Sequence, residues 1–116
     1  MPLRDQIRKG SSETLILNLL AEEPMYGYQM TRELKRRSSG YFHMKEGLLY
    51  PTLHRMEQEG LIVSEWRTGT GRRRRKYYCI TDKGRQALAR QTVEWRTFAE
   101  RLLRLLDMST EAAETA

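Results

Sequence analysis

The chain has 116 residues, which makes one domain the default, and 39% hydrophobic residues, which allow only a modest core. Its 21 Lys and Arg against 15 Asp and Glu leave a formal charge of +6 and a pI of 9.8, which suits a polyanionic partner, either nucleic acid or an anionic membrane surface. A single cysteine, Cys79, excludes an internal disulfide and a cysteine-based zinc site, and no metal ligand set is expected.

The N-terminus MPLRDQIRKG lacks the apolar core of a signal peptide, and no window is long and apolar enough to span a bilayer. A cytoplasmic protein is expected. Residues 1–10 are polar and read as a frayed segment or as an arm on a partner subunit. Ser11 and Ser12 offer an N-cap with Glu13 in the first turn, and Leu15, Ile16, Leu19 and Leu20 give one apolar face, so a first helix is expected over about 12–22. Pro24 ends it, because the residue before a proline avoids α geometry. A second helix is expected over about 27–37, stopped by Ser38-Ser39-Gly40, with Lys35, Arg36 and Arg37 favourable at its C-terminal dipole.

Residues 46–59 read as a third helix closed by Gly60 as a left-handed cap, with Leu49, Leu53, Met56 and the following Leu61 as its buried stripe. Pro51 argues that regular helix begins only at Leu48 or Leu49. Leu61–Trp66 is β-branched and aromatic enough for a strand, Thr68-Gly69-Thr70-Gly71 is a turn, and Arg75–Ile80 is the returning strand. Trp66 is expected in the strand core, and Cys79 as a buried structural thiol. Thr81 reads as an N-cap opening a last helix to about Asp107, about 37 Å long at the standard rise. The order α-α-α-β-β-α describes a mainly α fold with a small β-hairpin wing: a winged helix-turn-helix over 11–80, a C-terminal dimerisation helix over 81–107 and a disordered tail over 108–116.

A helix in a major groove needs a point of close approach, hydrogen-bonding side chains and cations for phosphate. The third helix offers Gly47 for approach, Tyr50 and Thr52 as hydroxyls, and His54 and Arg55 as donors. The wing offers Arg72, Arg73, Arg74, Arg75 and Lys76, which suit a minor groove or flanking phosphates. The plain alternatives are a solvated basic loop, a core tyrosine at Tyr50 and a surface histidine without function at His54.

The last helix carries Leu88, Thr92, Trp95, Ala99, Leu102 and Leu106 at alternating steps of four and three, flanked by Val93, Phe98, Leu103 and Leu105. Such a face must be buried, and a second copy of the chain is its natural cover, the alternative being that it folds wholly onto its own domain. Trp95 then has two readings, dimer packing or a flat wall for an aromatic effector between subunits.

The segments SSETLILNLLAEEPMYGYQM, EGLLYPTLHRMEQEGLI, EWR and RKYYCITDKGR, over roughly residues 11–106, resemble the PadR family of bacterial transcriptional regulators. The resemblance implies a winged helix with a C-terminal dimerisation helix, and a dimer that binds a palindromic operator, most often as a repressor of its own or an adjacent operon. It implies that Tyr26 and Gly27 start the second helix beside the DNA backbone. It also puts Tyr50 and Pro51 on the recognition helix and Arg75 and Lys76 at the wing base. Some members release DNA on binding phenolic acids or planar drugs, with a tryptophan of the last helix stacked on the drug in certain cases, and Trp95 is similar in position. The short last helix resembles the smaller subgroup. Lys45 stands where many relatives have a small hydroxyl cap, which turns this position into a phosphate contact with a weaker cap.

Three rivals carry less support. An enzyme needs convergent acid, base or nucleophile groups, and His43 and His54 have no evident partner in the sequence. RNA binding favours exposed stacking aromatics, whereas these read as buried. A pure protein-interaction module would use the wing without DNA. Beyond duplex DNA, a second copy and a small aromatic effector, no partner is expected, and no cofactor.

Overall fold

The computed structural model describes residues 2–69, 71 and 73–107. The elements are α1 (Leu3–Glu22), β1 (Met25–Tyr26), α2 (Gly27–Arg37), α3 (Glu46–Gln58), β2 (Ile62–Thr68), β3 (Arg74–Ile80) and α4 (Asp82–Leu105). The three strands form an antiparallel sheet in the order β1-β3-β2. The expected winged-helix architecture is therefore present, with the β2–β3 hairpin as the wing. None of the described helices is long and apolar enough to cross a membrane.

α1 begins nine residues before its expected start. Pro2 occupies the N-cap position, and its carbonyl accepts from Asp5 and Gln6 at 3.1 and 3.2 Å. Residues 3–10 are thus helical rather than frayed. Ser11 and Ser12 do not cap: their hydroxyls donate back to the carbonyls of Ile7 and Arg8 at 2.9 and 2.8 Å, the local bond that lets serine stay inside a helix. Ile16, Leu17, Leu19 and Leu20 are buried at the centre of the core. The helix stops where Glu23 turns extended before Pro24.

α2 matches its expected bounds. Arg37 pairs with Glu22 of α1 and with Glu33, and Arg36 also holds Glu33. These guanidinium hydrogen bonds, Arg36 first, pull the Glu33 carboxyl from 4.5 down to about 2. α3 starts at Glu46, earlier than Pro51 suggested, because the amides of Leu48 and Leu49 both reach the Lys45 carbonyl at 3.0 and 2.9 Å. Pro51 removes a single internal bond, and burial of Leu49, Leu53 and Met56 outweighs that loss. Gly60 closes the helix with φ +79°, as a left-handed cap requires.

The wing strands pair from Ile62↔Ile80 to Thr68↔Arg74. Ile62, Ser64 and Trp66 share one face by the period of two, and burial fades along it. Trp66 is 60% exposed and not a core residue, because β2 has by then run out beyond the helical layer. Cys79 is half-buried and free. Thr81 caps α4 as expected: its Oγ1 accepts from the Gly84 amide at 3.0 Å and donates to the Gly60 carbonyl at 2.7 Å. Ala87 and Leu88 join the core, Gln91 and Trp95 still reach α1, and α4 beyond Trp95 is exposed; the longest dimension of the whole structure is 58 Å. The tail expected to be disordered lies outside the described residues.

Candidate nucleic-acid interface

The short β1 strand, which the sequence did not reveal, positions the site. It pairs with β3 in the register Met25↔Tyr78 and Tyr26↔Tyr77. That pairing sets Tyr26 edge-to-face on Tyr77 at 5.4 Å and brings the Arg75 guanidinium to 4.5 Å from the Tyr26 ring centroid. α2 starts on the next residue, Gly27, which is buried under Tyr50 of α3. A β-carbon at Gly27 would run into the Tyr50 hydroxyl and lie 2.9 Å from its Cζ. The glycine is therefore needed for close approach between the two helices. Tyr50 remains 45% exposed and is not a core tyrosine.

A groove of about 820 Å³ opens between the start of α2, α3 and the wing. Its walls include Tyr26, Gly27 and Tyr50, with Arg73, Arg74, Arg75 and Lys76 from the wing. Seven of the expected contact residues are thus brought together. Among the described residues, no carboxylate forms an ion pair with any of these four cations, while the neighbouring Arg67 is already paired with Glu65. A row of unneutralised cations on an open groove is a binding surface for a polyanion.

The groove also contains residues that sequence reasoning missed. Tyr28 is exposed, with the Arg32 guanidinium 5.8 Å from its ring, and Trp66 carries the Arg74 guanidinium at 5.5 Å. Each distance lies within cation–π range, so the ring draws the guanidinium to one side of the groove and lowers the cost of ordering it for a phosphate or groove contact. The spacing of Tyr28 and Arg32, four apart at the start of a helix, was the available signal.

Other expected contacts lie elsewhere. Thr52 is buried, and its hydroxyl donates to the Leu48 carbonyl at 2.7 Å, so it presents no donor to DNA. Arg55 is held by Glu13 of α1 and by Glu59, both at 2.9 Å, and the Glu13 hydrogen bond holds its guanidinium above its ordinary pKa. His54, Gly47 and Lys45 are exposed on α3 or at its start but do not line the groove. Lys45 occupies the N-cap without a side-chain cap bond. Arg72 lies outside the described residues. Among the described residues no group of three or more His, Cys, Asp or Glu is placed to hold a metal ion.

On α4, Leu88 packs against the core. Trp95 is half-buried against α1 of its own chain, its indole Nε1 donating to Thr14 Oγ1 at 3.1 Å and its ring edge-to-face with Phe98 at 5.8 Å. A cavity of about 480 Å³ lies beside it, lined by Glu13, Gln91 and Glu94 among others. Thr92, Phe98, Ala99, Leu102 and Leu106 are exposed, as are Val93, Leu103 and Leu105. The domain covers the first part of the α4 stripe and leaves the rest open.

A family model described as the transcriptional regulator PadR-like family matches residues 16–90. The chain is 40% identical over 83 residues to a transcriptional regulator of Mycobacterium tuberculosis, covering 72% of this chain and 74% of that one. It is 30% identical over 73 residues to the negative transcriptional regulator PadR of Bacillus subtilis, covering 63% of this chain and 40% of that one. Among solved structures, a PadR-like transcriptional regulator from Bacillus cereus superposes with a TM-score of 0.77 at 35% identity, over 87% of this chain and 96% of that one.

Proposed function

The chain belongs to the PadR-like family of transcriptional regulators, and from that premise we propose that its groove takes up double-stranded operator DNA, with α3 in the major groove and the wing on the flanking minor groove or phosphates. The family is one of regulators and not of enzymes. The observation that carries the reading is the row Arg73, Arg74, Arg75 and Lys76, unneutralised among the described residues and facing the same groove as Tyr26 and Tyr50. Phosphate contacts from such a row orient the protein, while Tyr50 and the exposed face of α3 reach base edges.

The regulator works as a homodimer through α4. The exposed Phe98, Leu102, Leu105 and Leu106 form an apolar face too extensive for one helix to leave in water, and a second copy supplies the same face. Two-fold symmetry sets two α3 helices about one DNA turn apart and makes the operator palindromic. The protein represses its own or a neighbouring operon, as the description of the Bacillus subtilis relative as a negative regulator suggests. A small aromatic effector stacks on Trp95 beside the cavity at the α1–α4 junction and releases the DNA.

The test is competition between the duplex upstream of the protein's own coding sequence and a scrambled duplex, followed by anisotropy at two salt concentrations. Preferential, salt-sensitive binding with two protomers per duplex is expected. Equal, weak binding to both would remove the operator assignment, and binding of neither would remove DNA as the partner.

A further inference from the structure

α3 and α4 are joined at two places. At their ends, Lys83 Nζ donates to the Glu59 carbonyl at 2.7 Å and the Thr81 hydroxyl to the Gly60 carbonyl at 2.7 Å. The second junction lies about three turns further along α4 and runs through a chain of side chains. Trp95 Nε1 donates to Thr14 Oγ1 at 3.1 Å, and Thr14 Oγ1 donates to Gln91 Oε1 at 2.6 Å. Gln91 Nε2 donates to Glu13 Oε2 at 2.5 Å, and Arg55 Nη1 donates to the other oxygen, Glu13 Oε1, at 2.9 Å. One carboxylate thus receives α4 on one oxygen and α3 on the other. The Glu13 side chain is only 22% exposed, so these bonds are partly shielded from water.

From this geometry we infer that Glu13 is a positioning residue for DNA binding, the strut through which α4 sets the attitude of α3. α4 is pinned at the Gly60–Thr81 end, so a displacement of its middle, at Trp95 and Gln91, must be taken up by the strut or break it. α3 rests on α1 and β2. Breaking the bond to Glu13 leaves Arg55 held, among the described residues, only by Glu59 next to its own helix, which removes this side chain's tie between α3 and α1 and lets α3 settle differently. Since α4 also carries the open apolar face, whatever covers that face or touches Trp95 acts on α3 through Glu13. The inference rests on the reading that α3 meets DNA, and it adds the route by which α4 governs that contact.

The experiment uses the full chain with Trp66→Phe, which keeps an aromatic ring beside Arg74 and leaves Trp95 as its one tryptophan, and the duplex affinity of this protein is measured first as the reference for the variants built on it. The ligand is a labelled duplex that the wild-type protein selects from a random-sequence pool. Label anisotropy reports binding, and Trp95 emission reports the α4 junction. Emission is expected to move along the same titration curve as anisotropy. With Glu13→Ala added, the duplex is still bound, at least about three-fold more weakly, but emission stays still. Gln91→Leu, which leaves the Glu13–Arg55 pair in place, is the second variant. It is expected to lose emission coupling and at least about three-fold in affinity while melting as a folded protein. Saturating anisotropy with unmoved emission in the Trp66→Phe protein overturns the inference and leaves DNA binding standing. So does an emission change that persists in both variants. Failure to select any duplex overturns both readings.

Discussion

Tyr50 of α3 lies directly over Gly27, the first residue of α2, with no room for a β-carbon between them. This contact brings the start of α2 close against α3, and it holds Tyr50 at the rim of the basic groove. In Gly27→Ala the added methyl meets the far end of the Tyr50 side chain, which can swing away. The fold is therefore expected to survive with a loss below about 1.5 kcal/mol, while duplex affinity falls roughly ten-fold as Tyr50 leaves its position. Tyr50→Phe in the same chain removes the nearest atom and recovers part of the stability. Calorimetry and a duplex titration on the three proteins check this; full affinity in Gly27→Ala would show that the position of Tyr50 does not matter.

Trp66 and Arg74 form the second pair. The indole is mostly exposed, so Trp66→Ala should change stability by no more than about 0.5 kcal/mol. It should weaken duplex binding about three-fold because Arg74 is no longer oriented, a stack of about 0.5–1 kcal/mol. Arg74→Ala and the double variant are then expected to bind alike, because the tryptophan acts through the arginine. Additive effects would mean that Trp66 touches DNA by itself.

The proposed dimer is tested on α4. Leu102→Asp places a carboxylate in the middle of the open apolar face. Sedimentation should give a dimer for the unaltered chain and a monomer for the variant, with the winged domain melting as before. An intact dimer in Leu102→Asp would move the interface off this face.

Glu33 contributes to the loss of stability in acid, together with Glu22, whose carboxyl the Arg37 hydrogen bond also holds below its ordinary pKa. The Glu33 carboxyl is held at about 2 by Arg36 and Arg37, against an ordinary 4.5. A depressed pKa contributes stability that is fully present above pH 4.5 and is lost as pH falls towards 2. Glu33 is half-buried but its arginine partners are open to water, so the ion pairs make a small contribution, reduced further by salt. The difference in melting temperature between the parent and Glu33→Gln should therefore be largest above pH 4.5 and close as pH falls towards 2. A difference that is flat across that range would remove Glu33 from the acid response.

Much of this architecture was legible because the chain punctuates it strongly. Ser38-Ser39-Gly40 and Gly60 stop two helices where expected, and Thr81 caps the last one through the bond its side chain was read to make. The start of α1 was not legible, since Ser11-Ser12 followed by Glu13 imitates a cap while both hydroxyls bond backwards inside the helix. β1 has two residues, too few for any periodicity, yet it is what brings Tyr26 to Arg75. The groove cations were visible as a run, but the inward turn of Thr52 and the pairing of Arg55 with Glu13 depend on how α3 is rotated against α1. That rotation is set by contacts between residues far apart in sequence. Trp66 was misread for a related reason: alternation gives its face but not how far the helical layer extends.

If the wing cations bind duplex DNA through its phosphates, as proposed, the salt dependence of affinity must show it. Slopes of log affinity against log salt should be steep for the unaltered protein. For Arg73→Ala/Arg74→Ala the slope should be shallower by about 0.9 for each phosphate that the wing no longer neutralises, with affinity lower on every duplex sequence. An unchanged slope and affinity in the double variant would contradict the account, because the wing would then play no part in binding.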